Sequence, residues 1–129
     1  MAKLRVSRTW VKKAARKNRQ DFGPVASIAF YGPNSDFASK VVVGISRSGS
    51  SDVDILERWF SEERDVRSDQ NIGDQVLQLL REHEVQSCAV TDGIIGCPHE
   101  EGIDYPEGKS CPHCPFWAGR DRFTHQRIH

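Results

Sequence analysis

Three of the four cysteines and two of the five histidines lie within the eighteen residues from 97 to 114. Cys97 and His99 form a first pair, Cys111 and Cys114 form a second, and the loop between the pairs contains two glycines and a proline. Zn²⁺ prefers four thiolate or imidazole ligands in a tetrahedron, and two short pairs on a flexible loop can supply them. The spacing therefore predicts a zinc site made of Cys97, His99, Cys111 and Cys114.

The two ligand pairs resemble those of zinc ribbons and related zinc knuckles. Those families usually carry Cys-x-x-Cys in both pairs, whereas the first pair here is Cys-Pro-His. Because four protein ligands close a zinc ion to water, the resemblance implies a structural metal. His113, which lies between the two cysteines of the second pair, is expected to point to solvent.

A second ligand set consists of Cys111, Cys114, His125 and His129. The terminal THQRIH resembles the end of a two-cysteine, two-histidine zinc finger, in which the histidines lie one helical turn apart. Ten residues separate Cys114 from His125, against about twelve in the usual finger. Gly119 would interrupt the helix that a finger needs, and Cys97 and His99 would have no role. The first set is therefore preferred.

A catalytic metal is the alternative to a structural one. The order His-x-Glu followed by Cys-x-x-Cys resembles the signature of zinc-dependent nucleobase deaminases, and this resemblance implies that Glu101 shuttles the proton. Glu100 is the neighbouring candidate, because hydrolytic zinc sites place a carboxylate beside a zinc-bound water. The nine residues between Glu101 and the second pair are few for the intervening structure, and Cys97 would have no role.

Basic residues are concentrated at one end of the chain. Residues 1–20 contain eight lysines and arginines and no acid, whereas the other 109 residues contain ten basic and eighteen acidic side chains. A basic helix that neutralises phosphates would bind nucleic acid, here through Arg8, Lys12, Lys13, Arg16, Lys17 and Arg19. Two other interpretations compete: an organellar targeting segment, and a helix that Trp10 docks on the acidic body.

Length and composition indicate a single domain. A chain of 129 residues can bury a core without disulfides, and cysteines at ligand spacing beside histidines favour a reducing compartment with a metal. No apolar run approaches the ~20 residues that cross a bilayer, and no secretion signal is evident. We expect a cytoplasmic protein with no membrane contact, whose partner is nucleic acid or another protein.

The pattern of apolar residues predicts a two-layer α+β domain with a small, mainly antiparallel sheet and two or three helices. We expect a basic helical arm over 1–22, a core over 23–95 and a zinc-binding segment over 96–129 that packs on the core. Strands are predicted over 25–31, 37–45 and 85–91, helices over 52–62 and 72–83, and a short edge strand over 65–67.

Several apolar side chains are expected to be buried. A helix over 52–62 would turn Val53, Leu56 and Phe60 inward. Cys88, in an apolar strand, is expected to be a small buried side chain and not a ligand. The aromatic residues of the last fifteen positions are expected to pack on the domain: Phe116, Trp117 and Phe123.

Overall fold

The computed structural model describes residues 9–15, 23–47, 52–109 and 111–118. Two helices and four strands follow one another in the order α1 (Thr9–Ala15), β1 (Val25–Tyr31), β2 (Lys40–Ser46), β3 (Ile55–Phe60), α2 (Gln70–Glu82) and β4 (Ser87–Ile94). Short 3₁₀ turns cover Val66–Ser68 and Pro115–Trp117. The predicted α+β class is confirmed.

The four strands form one mixed, mostly antiparallel sheet in the order β3-β2-β1-β4. The strands predicted over 25–31 and 37–45 correspond to β1 and β2, which form an antiparallel hairpin, and β3 adds to the far side of β2 in antiparallel orientation. β4 pairs with β1 in parallel, which requires a crossover connection, and α2 lies in that connection. After β1 the chain turns at Gly32, where a Cβ atom would lie 1.8 Å from the carbonyl oxygen of Phe37. Only glycine fits this turn.

The core lies between one face of the sheet and the two helices. In α2, Ile72, Val76 and Leu80 recur at helical spacing and are buried. On the sheet, alternate side chains of β1, β2 and β4 face these helix residues, because successive residues of a strand point to opposite faces. Those buried side chains are Ala26, Ile28, Phe30, Val41, Val43, Ile45 and Cys88. The predicted burial of Cys88 is thereby confirmed.

Helix α1 is attached to the core by Trp10. Its indole N–H donates to the carbonyl of Val66 at 3.2 Å, and its ring meets that of Phe30 edge to face at a centroid distance of 6.1 Å. In α2, Gly73 leaves room for this ring, since a Cβ atom there would lie 2.5 Å from it. Ala14 is also buried, while Lys12 and Lys13 are exposed. The rest of the predicted arm over 1–22 lies outside the described residues.

The helix predicted over 52–62 is wrong, because this segment contains β3. The side chains expected to turn inward are instead 55% exposed at Val53, 47% at Leu56 and 61% at Phe60. Ile55 and Trp59 pack against the core in their place. An i, i+3, i+7 spacing indicated a helix, but the unpaired side of β2 offers a row of backbone hydrogen bonds to a strand.

The edge strand predicted over 65–67 is also wrong, because a 3₁₀ turn follows Asp65. The Asp65 carboxylate accepts the backbone N–H groups of Arg67 at 3.0 Å and of Ala38 at 2.9 Å. Hydrogen bonds between an aspartate side chain and nearby backbone N–H groups favour a turn over an extended strand. The predictions over 72–83 and 85–91 correspond to α2 and β4. Among the described residues, no helix is long and apolar enough to cross a membrane.

Candidate metal centre

The side chains of Cys97, His99, Cys111 and Cys114 lie together at one end of the sheet. Their ligand atoms, three sulfurs and one imidazole nitrogen, all lie within 4.8 Å of one another. Cys114 is buried and the other three are half-buried. This group could hold a metal ion, and it is the set that the sequence spacing favours.

The distances from His99 to the three sulfurs match the sulfur–nitrogen edges of a tetrahedron around a single ion. His99 Nδ1 lies 3.8 Å from the sulfur of Cys97, 3.4 Å from that of Cys111 and 3.5 Å from that of Cys114. Zn–S and Zn–N bonds of ordinary length give a sulfur–nitrogen edge of about 3.5 Å in a regular tetrahedron. One ion of that size therefore fits among the four atoms, with Nδ1 as the imidazole ligand.

Backbone amides support two of the sulfurs. The N–H of His99 donates to the Cys97 sulfur, and the N–H of His113 donates to the Cys111 sulfur, both at 3.4 Å. In each pair the donor comes two residues after the cysteine, so the tight turn at each proline aims the amide back at the sulfur. Such donors stabilise thiolate, which is the form of cysteine that binds metal.

Without a cation, the cluster disfavours thiolate. Burial, and then the nearby thiols of Cys97 and Cys111, raise the pKa of Cys114 to about 12. Burial also raises the pKa of Cys97. Three negative sulfurs this close repel one another, and a divalent cation among them removes that repulsion. The donor set is therefore suited to a cation such as Zn²⁺.

The first ligand pair continues directly from the sheet. Beyond the end of β4, the N–H of Ile95 donates to the carbonyl of Phe30 at 2.9 Å, and the N–H of Gly32 donates to the carbonyl of Gly96 at 2.8 Å. These bonds extend the pairing with β1 up to the residue before Cys97. The position of the first pair is thus fixed by the hairpin.

The second ligand pair is held by the 3₁₀ turn that follows it. Within this turn, the indole N–H of Trp117 donates to the carbonyl of Gly32 at 2.8 Å. The ring also packs against the core, as predicted, and meets Phe116 edge to face at 5.0 Å. Gly32 therefore forms a hydrogen bond with each ligand segment. Its N–H donates to the carbonyl of Gly96, and its carbonyl accepts the indole N–H of Trp117. Phe123 lies outside the described residues.

A charged network joins the loop between the ligand pairs to the open face of the sheet. Glu100 accepts from Lys40 Nζ at 2.7 Å, and from Arg58 Nε at 2.6 Å and Nη2 at 3.1 Å. Lys40 also donates to the carbonyl of Pro98 at 2.9 Å. The hydrogen bonds from Arg58 and Lys40 lower the pKa of Glu100 to about 2. No pattern in the sequence indicated that Lys40 and Arg58 contact this loop, because only the fold brings β2 and β3 beneath it.

The carboxylates of Glu100 and Glu101, the two candidate catalytic groups, both accept hydrogen bonds from other parts of the protein. Glu100 is a carboxylate shared by two cations, and Glu101 accepts the backbone N–H of Gly108 at 2.6 Å. A proton shuttle needs a carboxyl whose pKa lies near the working pH and which is free to change partners. The contacts of Glu100 meet neither condition, and the hydrogen bond from Gly108 engages the carboxylate of Glu101 within the loop.

A cleft of about 490 Å³ lies beside the cluster. Lys40 and Arg58 line it from the sheet side, and Glu100, Tyr105 and Lys109 line it from the loop side. The cluster itself forms another wall. With four protein ligands around one ion, none of the coordination positions would open toward this cleft.

The remaining predicted site residues lie elsewhere. His113 is exposed, as expected, with its ring 5.2 Å from that of His99. His125 and His129 lie outside the described residues, so the second ligand set stays a prediction. The same holds for four of the six basic residues proposed to contact nucleic acid: Arg8, Arg16, Lys17 and Arg19.

Comparisons with models of known protein families, with curated proteins and with solved structures found no match.

Proposed function

We propose that this protein is a binding module in which Cys97, His99, Cys111 and Cys114 hold one structural Zn²⁺. The observation that carries this proposal is the spacing of the four ligand atoms, all within 4.8 Å of one another. Sulfur and nitrogen ligands in a tetrahedron suit Zn²⁺, and four of them leave no position for water. The ion would fasten the segment after β4 to the sheet and would carry out no reaction.

Metal content and coordination test the structural zinc. Purified protein should contain one zinc ion per chain, and X-ray absorption should show three sulfurs and one nitrogen around it. Cys114→Ser should lose the ion, whereas Cys88→Ser, which changes a buried cysteine on β4, should retain it. A first shell containing water oxygen, or full zinc content in Cys114→Ser, would contradict the proposal.

For the partner, we propose nucleic acid bound through the basic arm. Trp10 and Ala14 turn one side of α1 toward the core, while Lys12 and Lys13 are exposed. This arrangement supports the docking of the helix by Trp10 and leaves its cations available to phosphates. The excess of acid over base in the rest of the chain would repel a phosphate backbone, so the contact would be through the arm.

Salt dependence tests this second part. Binding to a nonspecific duplex should weaken steeply with salt, because each phosphate that the arm neutralises adds about 0.9 to the slope of log K against log salt. Replacing Lys12 and Lys13 by glutamine should reduce the slope. Lys109→Gln, an exposed lysine on the metal-binding loop, is the matched control. No binding at low salt would exclude nucleic acid.

A further inference from the structure

Strand β3 is an edge of the sheet, and half of its backbone groups are directed away from β2. Directly after β3, the N–H of Ser61 donates to the carbonyl of Ser39 at 3.0 Å. Because backbone groups of a strand alternate between its two sides, residues 55, 57 and 59 also bond to β2. The N–H and C=O groups of Leu56, Arg58 and Phe60 therefore point outward, and no described residue pairs with them.

On the side of the sheet that faces the helices, a groove of about 290 Å³ runs between β3 and α2. Its apolar walls come from the half-buried side chains of Trp59 and Leu79. Its rim carries three exposed carboxylates, those of Glu57, Asp74 and Glu82. In the part of the chain that the structure describes, none of the three forms an ion pair. The groove thus combines an apolar wall with uncompensated negative charge.

The opposite side of the same edge carries apolar side chains before and after Arg58. Leu56 and Phe60 point to the open face of the sheet and are exposed, and Val53, which is also exposed, lies with Leu56 over Gly44. Arg58, between them, is held by Glu100. An added strand would therefore meet carboxylates on one face and apolar side chains on the other.

We propose that β3 is a docking edge for an extended segment of another protein in which basic and apolar residues alternate. The segment would add a fifth strand to the sheet, with its backbone on the outward groups of Leu56, Arg58 and Phe60. Its basic side chains would reach the carboxylates of the groove. Its apolar side chains, on the other face, would cover Leu56 and Phe60. This surface includes none of the four metal ligands and no residue of α1, so the proposal does not depend on the proposed zinc and nucleic-acid roles.

Amide hydrogen exchange provides the sharpest test. The probe is a short synthetic peptide in which lysine and valine alternate, added to the full chain with its metal retained. The amides of Leu56, Arg58 and Phe60 should slow by about tenfold or more on binding, as exposed amides do when they enter a sheet. Those of Ile55, Glu57 and Trp59 should be protected already and should change little. Slower exchange at other amides, with no change at those of Leu56, Arg58 and Phe60, would overturn the proposal.

Matched peptides and variants distinguish strand addition from nonspecific electrostatic attraction. A peptide of alternating glutamate and valine, and the lysine peptide with all its backbone amides methylated, should both fail to bind. Glu57→Gln and Glu82→Gln should each weaken the lysine peptide by a factor of about 2 to 5. Asp92→Asn, an exposed acid on β4 at the other edge, should leave affinity unchanged. Equal binding of the methylated peptide would exclude backbone pairing.

A second copy of the chain is the competing occupant of this edge. Sedimentation of the protein without peptide distinguishes the two cases. A monomer that gains the predicted protection only when the peptide is added supports a partner of different sequence. A dimer whose dissociation on dilution exposes the amides of Leu56, Arg58 and Phe60 would show that the edge pairs with itself, and would overturn the proposal.

Discussion

The ammonium group of Lys40, on β2, lies 2.7 Å from the carboxylate of Glu100, on the loop between the two ligand pairs. The Lys40 side chain is only 4% exposed, whereas that of Glu100 is 29% exposed and also contacts Arg58. The two residues thus differ in burial and in their number of charged partners. The buried charge of Lys40 is balanced by one carboxylate, whereas the carboxylate of Glu100 contacts two cations.

This inequality predicts a difference between two substitutions. Glu100→Gln leaves the buried ammonium without a counter-charge and should lower the free energy of unfolding by about 2–3 kcal/mol, since a stranded buried charge is costly. Lys40→Met keeps an apolar stem and leaves Glu100 with Arg58, so it should cost less. Urea unfolding at neutral pH measures both. A larger loss for Lys40→Met would contradict the prediction.

The preferred ligand set predicts which histidine is required for zinc binding. His99→Ala should remove zinc from the purified protein, because Nδ1 of His99 lies within 3.8 Å of all three sulfurs. His125→Ala and His129→Ala should retain one zinc per chain. Metal analysis after dialysis against a weak chelator decides the matter. Loss of zinc in either terminal variant, with retention in His99→Ala, would favour the finger-like set.

The packing of α1 against α2 predicts that Gly73→Ala is destabilising. The new methyl group would lie 2.5 Å from the Trp10 ring and would force the helices apart. Overpacking of this kind costs about 1–3 kcal/mol, despite the better helix propensity of alanine. Thermal unfolding followed by tryptophan fluorescence measures the loss. Asn71→Ala, at an exposed position of the same helix, is the control and should change stability by no more than about 0.5 kcal/mol.

The buried pair of Asp65 and Arg67 predicts a pH-dependent contribution to stability. Burial by itself would raise the pKa of Asp65, but hydrogen bonds from the Arg67 side chain and from the amides of Ala38 and Arg67 outweigh it and lower that pKa. The ionised form therefore stabilises the fold. Its contribution is complete above the pKa of the unfolded chain, about 3.9, and is lost as pH falls through the lower pKa of the folded protein.

Asp65→Asn should consequently cost about 3 kcal/mol at neutral pH, because Arg67 loses its counter-charge. The difference between the variant and the original protein should narrow as the pH falls below about 4. Urea unfolding over a series of pH values tests this sign. A constant difference across the series would mean that the charge of Asp65 contributes nothing.

The sequence predicted the fold class and the elements with a clear local pattern. The hairpin follows from a turn between two β-branched runs, and α2 from apolar residues at helical spacing. The grouping of Cys97, His99, Cys111 and Cys114 could also be anticipated, because pair spacing and a turn-forming loop are local properties. Each of these features is encoded within about twenty neighbouring residues.

What the sequence could not provide depends on distant partners. Apolar residues at 53, 56 and 60 matched a helix, yet the segment became a strand because β2 had an unpaired side. The parallel direction of β4 likewise depends on α2 as the crossover. Lys40 and Arg58 lie about 40 to 60 residues before Glu100, so no local pattern marks their contact with the loop.

All four candidate ligands of the cluster follow β4, the last strand among the described residues, and the indole N–H of Trp117 then donates to the carbonyl of Gly32, 85 residues earlier. During translation the residues of the sheet therefore leave the ribosome before Cys97, and Cys114 emerges last of the four candidate ligands. At about 5–20 residues per second, the interval between the end of β4 and Cys114 is on the order of one to a few seconds. Capture of the proposed zinc ion would accordingly be a late event in biosynthesis, after the strands of the described sheet have been made.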